Sequence, residues 1–215
     1  MTKKVPVHLL ALSVGVIVAN IYYAQPLLAA MAQTFSVSVG MIGLVAMLTQ
    51  VGTAIGMLVF VPLGDSRDRR ALLTALLCGA CVALLGVATA RNLIWVSIAS
   101  FAVGACGAAV HVIVPFAAQL APEESRGQVL GTVFSGLLIG ILLARTFSGV
   151  VASFFGWRSV YIIGAFAMLG LMLLLRARLP KVAPQSNLRW PQLMRSLLDL
   201  VRAHPALRES AFLGA

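Results

Sequence analysis

The sequence predicts an all-α membrane protein, a bundle of six transmembrane helices, and three observations carry that reading. Apolar residues make up 60% and charged residues 10% of the 215 positions, too few charges to clothe a soluble domain of this size. The apolar residues gather into six long runs, each near the 20 or so residues a helix needs to cross about 30 Å of hydrocarbon. Short joints of Gly, Pro, Ser and Asp separate the runs, so consecutive helices are antiparallel neighbours in one bundle.

The first span, 6–32, begins with MTKK and passes AMA at 30–32, which imitates a cleaved signal peptide. Its run is too long for a signal core and carries Asn20, Tyr22, Tyr23, Gln25 and Pro26, so it is read as a retained helix. Asn20 shares a face with Ser13 and Tyr23, while Tyr22, Gln25 and Pro26 point elsewhere. Both sets line one cavity only if Pro26 kinks the helix.

The second span, 38–63, holds GTAIG at 52–56, a small-xxx-small spacing that lets two backbones approach closely. Gln50 and Thr53 sit at mid-depth on one face, either as substrate contacts or as interhelical hydrogen bonds. The third span, 71–90, contains Cys78 and Cys81. With Cys106 these read as apolar packing, because their spacing lacks the soluble βαβ context of a redox motif. In the fourth, 93–120, Ser97, Ser100, Gly104, Gly107, His111 and Pro115 recur at steps of three and four. That single face of small and polar residues either packs tightly or lines a water-filled cavity. His111 is either a proton carrier or a satisfied structural histidine.

The fifth span, 127–152, repeats the close-packing spacing as GLLIG at 136–140 and carries Arg145. A guanidinium at that depth must find partners, water or an anion, so it is expected to face inward with Ser135, Thr146 and Gly149. Three roles compete for it: an anionic substrate group, a carboxylate on an absent half, or snorkelling to the outer interface. Depth along the helices separates Arg145 from His111. The sixth span is 156–176. Residues 177–208 read as a basic cytoplasmic linker with an interfacial helix at 191–203, where Leu193, Leu197, Leu200 and Val201 oppose Arg195, Asp199 and Arg202. Residues 209–215 read as the start of a truncated seventh helix.

The formal net charge of +10 does not form the stripe that nucleic acid requires. The basic residues flank the spans. With a cytoplasmic N-terminus, Lys3, Lys4, Arg67, Arg69, Arg70, Arg126, Arg176, Arg178 and the basic tail fall inside, and only Arg91 and Arg158 outside, the positive-inside pattern. The reading is therefore a multi-pass protein of a cell (inner) membrane. Carboxylates, His and Cys do not cluster at metal-ligand spacing, and no nucleophile or phosphate-loop motif occurs. A membrane-embedded enzyme is set aside, with no metal, cofactor or catalytic residue expected.

Two stretches suggest an internal repeat. VPLGDSRDRR at 61–70 aligns without gaps to GVVASFFGWR at 149–158, each closing one span and opening the next. An odd number of spans intervenes, so the copies lie on opposite membrane faces, as an inverted three-plus-three repeat requires.

The 61–70 joint resembles the signature loop of the major facilitator superfamily, Gly-x-Leu-x-Asp-Arg-x-Gly-Arg-Arg. Leu63, Asp65, Arg69 and Arg70 match, whereas Val61 and Asp68 replace its glycines and Ser66 its first arginine. NIYYAQPLL at 20–28 is similar to the start of a bacterial efflux-permease branch, and PEESRG at 122–127 and GWR at 156–158 are also family-like. The resemblance implies the N-terminal half of a secondary carrier working by alternating access, with proton-coupled efflux of a small organic solute or drug. It implies a conformational gate at Asp65, Arg69 and Arg70, which latches two halves together when the carrier faces outward. The alternative is that these charges only anchor the helices. The expected partners are the lipid bilayer, a small-molecule substrate, protons as coupling ion and a C-terminal six-helix half absent from this chain. The candidate substrate or proton cavity comprises Asn20, Tyr23, Gln50, Thr53, His111 and Arg145. Ser100 stands where proton-coupled drug exporters often carry an arginine, so that coupling device is not carried over. A truncated, non-transporting half is the competing reading.

Overall fold

The computed structural model describes residues 7–179, and within them every side chain except that of Asp65. The expected interfacial helix at 191–203 and the seventh-helix start at 209–215 lie outside the described residues, as does most of the linker. Among the described residues, eight α-helices build six apolar spans. The first span is α1 (Val7–Tyr22) followed by α2 (Ala24–Phe35), the second α3 (Val39–Ser66) and the third α4 (Arg69–Ala88). The fourth is α5 (Leu93–Gly107) with α6 (Ala109–Leu120). A one-turn 3-10 segment, Glu123–Ser125, leads into α7 (Arg126–Phe155), and α8 (Trp157–Arg178) is the sixth.

Local chemistry sets the joints. Ser38, Asp68 and Asn92 cap α3, α4 and α5, each accepting a backbone N–H of the first turn, at 3.2, 3.1 and 2.8 Å; such caps answer donors that have no intrahelical partner. α2 ends on Ser36 in the left-handed region, where the Val37 N–H reaches back to the Ala32 carbonyl at 3.1 Å, a Schellman closure. Gly156 links α7 to α8 with a φ of +79°, a conformation glycine adopts without steric cost.

The first and fourth spans are interrupted. Pro26 has no N–H to offer the Tyr22 carbonyl, and the break at Tyr23 falls at that point. In the fourth span the break falls at Ala108, whose N–H turns to the Ala105 carbonyl, a 3-10 tightening.

Packing follows an inverted repeat in which spans one, two and three correspond to four, five and six. The two most extensive helix pairs are α3 with α5 and α1 with α7, which that correspondence exchanges. Glycine makes both. A Cβ on Gly52 would lie 2.1 Å from the Phe101 carbonyl oxygen and one on Gly104 only 1.9 Å from that of Thr49. Across the other seam, a Cβ on Gly136 or Gly140 would lie 2.3 Å from the carbonyl oxygen of Ala11 or Gly15. α4 against α8, spans three and six, is the next largest pair.

Leu142, Phe154, Phe155, Ile94 and Phe166 are each at least two-thirds exposed. A water-soluble protein does not tolerate so continuous an apolar surface, and lipid covers it without cost. Antiparallel alternation puts Arg67, Arg69, Arg70, Arg126, Arg176 and Arg178 at one end of the bundle and Arg91 and Arg158 at the other.

Candidate functional site

At the cation-rich end, Arg69 is buried. Its Nε donates to the Gly64 carbonyl at 3.0 Å, another guanidinium nitrogen donates to Gln119 Oε1, and its charge lies 5.8 Å from the centre of the Phe116 ring. One side chain thus ties the end of α3 and the start of α4 to the end of α6. Arg70, half-buried, has a backbone N–H bonded to the Asp68 cap. Asp65 belongs to the last turn of α3, and its side chain lies outside the described set. Arg126 donates to the Ala118 carbonyl at 3.2 Å, while Glu123 and Glu124 are exposed.

The opposite end holds a tie of the same form. Trp157 is buried, its Nε1 donates to Thr34 Oγ1 at 3.0 Å, and its ring packs 5.8 Å from Phe35. Arg158 lies 4.3 Å from the centre of the Trp157 ring and donates to the Ala90 carbonyl at 2.9 Å. The gap-free alignment of 61–70 with 149–158 places Arg69 on Trp157 and Arg70 on Arg158. Aligning the breaks at Tyr23 and Ala108 places Thr34 on Gln119, since the step of eleven residues is the same in both spans. Both partners of each tie therefore occupy corresponding positions.

Between the ends, the expected cavity residues separate. Tyr23 lines a groove of about 910 Å³ between α1, α7 and α8, together with Ala19, Ser135, Thr146, Phe147 and Ile163. Asn20 does not open onto it. It is 5% exposed, donates to the Val16 carbonyl at 2.8 Å and sets its Oδ1 against bare Gly164 of α8. Gln50 is exposed on α3, and the half-buried Thr53 donates to the Thr49 carbonyl of its own helix at 2.9 Å. His111 is half-buried on α6, one turn past the Ala108 break.

The polar face expected along the fourth span is divided. Ser97, Ser100, Gly104 and Gly107 are buried by packing, whereas Pro115 is exposed. Arg145 was expected on the same cavity face as Ser135 and Thr146, and here the structure differs. Ser135 and Thr146 line the groove without it. Successive helical residues are turned about 100° apart, which carries Arg145 off the groove arc. It is exposed on α7, and its guanidinium makes no hydrogen bond or ion pair with the described residues.

Sequence reasoning missed Gln119, Thr34 and Tyr161. Tyr161 is 2% exposed, meets Tyr23 edge-on at 6.4 Å and Trp157 at 6.1 Å, and its hydroxyl finds no hydrogen-bond partner among the described residues. The available signal was a phenol inside an apolar run, one turn before a glycine.

A six-helix transmembrane unit assembled from two inverted three-helix repeats, with broken first and fourth spans, defines the half-unit of a membrane carrier scaffold. The chain belongs to the Major Facilitator Superfamily, whose family model matches residues 10–214. It is 37% identical over 206 residues to the uncharacterized transporter YgaY of Escherichia coli O157:H7, covering 96% of this chain and 52% of that one. It is 33% identical over 165 residues to the probable transporter SCO4007 of Streptomyces coelicolor, covering 76% and 38%. Among solved structures, a bacterial homologue of the human lysosomal transporter Spinster, inward-facing and unoccupied, superposes with a TM-score of 0.75 at 16% identity, over 86% of this chain and 45% of that one. The chain spans about half the length of the Escherichia coli relatives it matches.

Proposed function

We propose that this chain forms one half of a secondary active carrier that exports a small organic solute in exchange for protons, rocking against a second six-helix unit by alternating access. The observation that carries the reading is the pair of corresponding ties, Arg69 with Gln119 at one end and Trp157 with Thr34 at the other. Both ties lie within this unit and hold each of its ends firm where it would meet the second unit, and an inverted repeat supplies the same brace twice. Asp65, Arg69 and Arg70 form the gate at the cation-rich end. The positive-inside rule makes that end cytoplasmic in a bacterial inner membrane. Export follows the likeness of residues 20–28 to efflux permeases, and His111 is the proton-carrying group.

The test is solute flux in proteoliposomes holding this chain with its second six-helix unit. Flux driven by a pH gradient is expected. Asp65→Asn should lower it about tenfold or more, the scale of a conformational coupling, with membrane insertion unchanged. His111→Ala should shift its pH profile. No flux with or without a gradient sinks the carrier reading; wild-type flux in Asp65→Asn sinks the gate.

A further inference from the structure

The polar atoms at the centre of the bundle are not all provided for. Ser13, Thr49 and Thr53 donate to carbonyls of their own helices at 2.6, 2.8 and 2.9 Å, the ordinary way to silence a hydroxyl in hydrocarbon. Asn20 Oδ1 and the Tyr161 hydroxyl are buried and find no partner among the described residues. Burying a hydrogen-bonding atom unpaired is costly, more so where no water competes. The two belong to one locality. A Cβ on Gly164 would lie 2.7 Å from Asn20 Oδ1 and 3.2 Å from the Tyr23 ring, and Tyr23 meets Tyr161 edge-on. Tyr23 lines the 910 Å³ groove, so it stands between the groove and the unpaired atoms. It is also the break between α1 and α2, where backbone adjustment is easiest.

We propose that Asn20, Tyr23 and Tyr161 form the polar anchor of the solute site and take an uncharged hydrogen-bonding group, such as an alcohol, of a solute whose body is otherwise apolar. Asn20 Oδ1 accepts the solute's hydrogen and the Tyr161 hydroxyl donates to its oxygen. Among the described residues no ionised side chain lines the adjoining groove, so a carboxylate or ammonium there would remain uncompensated. The apolar body lies in the groove, against Ala19, Phe147 and Ile163. The inference rests on the carrier reading for its role in transport, but the binding it predicts is measurable without transport.

The chain has three tyrosines, so ring-carbon labelling of tyrosine gives three assignable NMR signals for the 215-residue chain in lipid nanodiscs. The probes are 1-octanol, octanoate and octylammonium. 1-Octanol should shift the Tyr23 and Tyr161 signals saturably and leave Tyr22 unmoved, while the two ions do not. Asn20→Leu should abolish the Tyr23 response. Tyr161→Phe removes only the unpaired hydroxyl and should leave the melting temperature unchanged or raise it by about 2–4 °C, the scale of 1 kcal/mol in a chain of this size. Equal shifts with all three probes, no saturation, or a lower melting temperature in Tyr161→Phe would overturn the proposal. Absent flux in proteoliposomes with the octanol response intact would count against the carrier and leave the anchor standing.

Discussion

The two glycine seams are built by the same device and differ in what surrounds them. Along α3 and α5 the glycines are reciprocal, Gly52 and Gly56 on one helix and Gly104 on the other, and Thr49 and Ser100 beside them are buried. Along α1 and α7, Gly15 meets Gly136 and Gly140, but the seam's flank opens into the 910 Å³ groove. The repeat thus fixes how near two backbones come, and side chains decide whether the surroundings close. In the first seam they fill the space. In the second they leave room beside Tyr23, where the unpaired Asn20 and Tyr161 atoms also lie.

The largest effect that would sharpen this contrast comes from filling the seams. A Cβ on Gly104 meets the Thr49 carbonyl oxygen at 1.9 Å, and one on Gly140 meets that of Gly15 at 2.3 Å. Gly104→Val is expected to cost about 3 kcal/mol or more, at the upper end for overpacking, because backbone cannot retreat inside a closed seam. Gly140→Val should cost less, since α7 can shift toward the groove. Gly149→Ala meets nothing within 4 Å and should gain about 0.5–1 kcal/mol of helix propensity. Thermal unfolding in one detergent ranks the three variants, and equal losses at Gly104 and Gly140 would erase the distinction between the seams.

The two ends give a smaller contrast. Arg69 binds Gln119 through a cationic donor and Trp157 binds Thr34 through a neutral one. Double-mutant cycles should give coupling of about 1.5–3 kcal/mol for the first pair and about 0.5–1.5 for the second. Coupling at one end alone would break the correspondence.

The fold was legible because its signals are local. Run length sets the span count, breaker residues mark the joints, and Pro26 announces the first break. The break at Ala108 was not legible, since no proline stands three residues beyond it as Pro26 does beyond Tyr23. The GTAIG and GLLIG spacings announced close approach without naming partners. Those partners, Phe101 and Ala11, belong to other spans and are fixed only by packing. The site was less legible for the same reason. Arg69 reads as a gate residue from its motif, but Gln119 lies 50 residues away and Thr34 lies 123 residues from Trp157. Arg145 carried a residue-level expectation of facing inward, because an arginine among apolar residues states a need for a partner without stating its direction. Asn20 was read as a candidate cavity residue, while Tyr161, its companion across Gly164, sits in a span that otherwise reads as plain hydrocarbon.

The proposed alternating access makes the two equivalent ends of the unit reachable in turn, and reciprocal accessibility tests it most directly. The repeat equates Ala29 on α2 with Val114 on α6. Single cysteines at these positions, in a background lacking Cys78, Cys81 and Cys106, can be titrated with a membrane-impermeant maleimide in the assembled carrier, with and without a saturating transported solute. The account predicts changes of opposite sign, one site gaining reactivity as the other loses it. Changes of the same sign at both sites, or none at either, would contradict it.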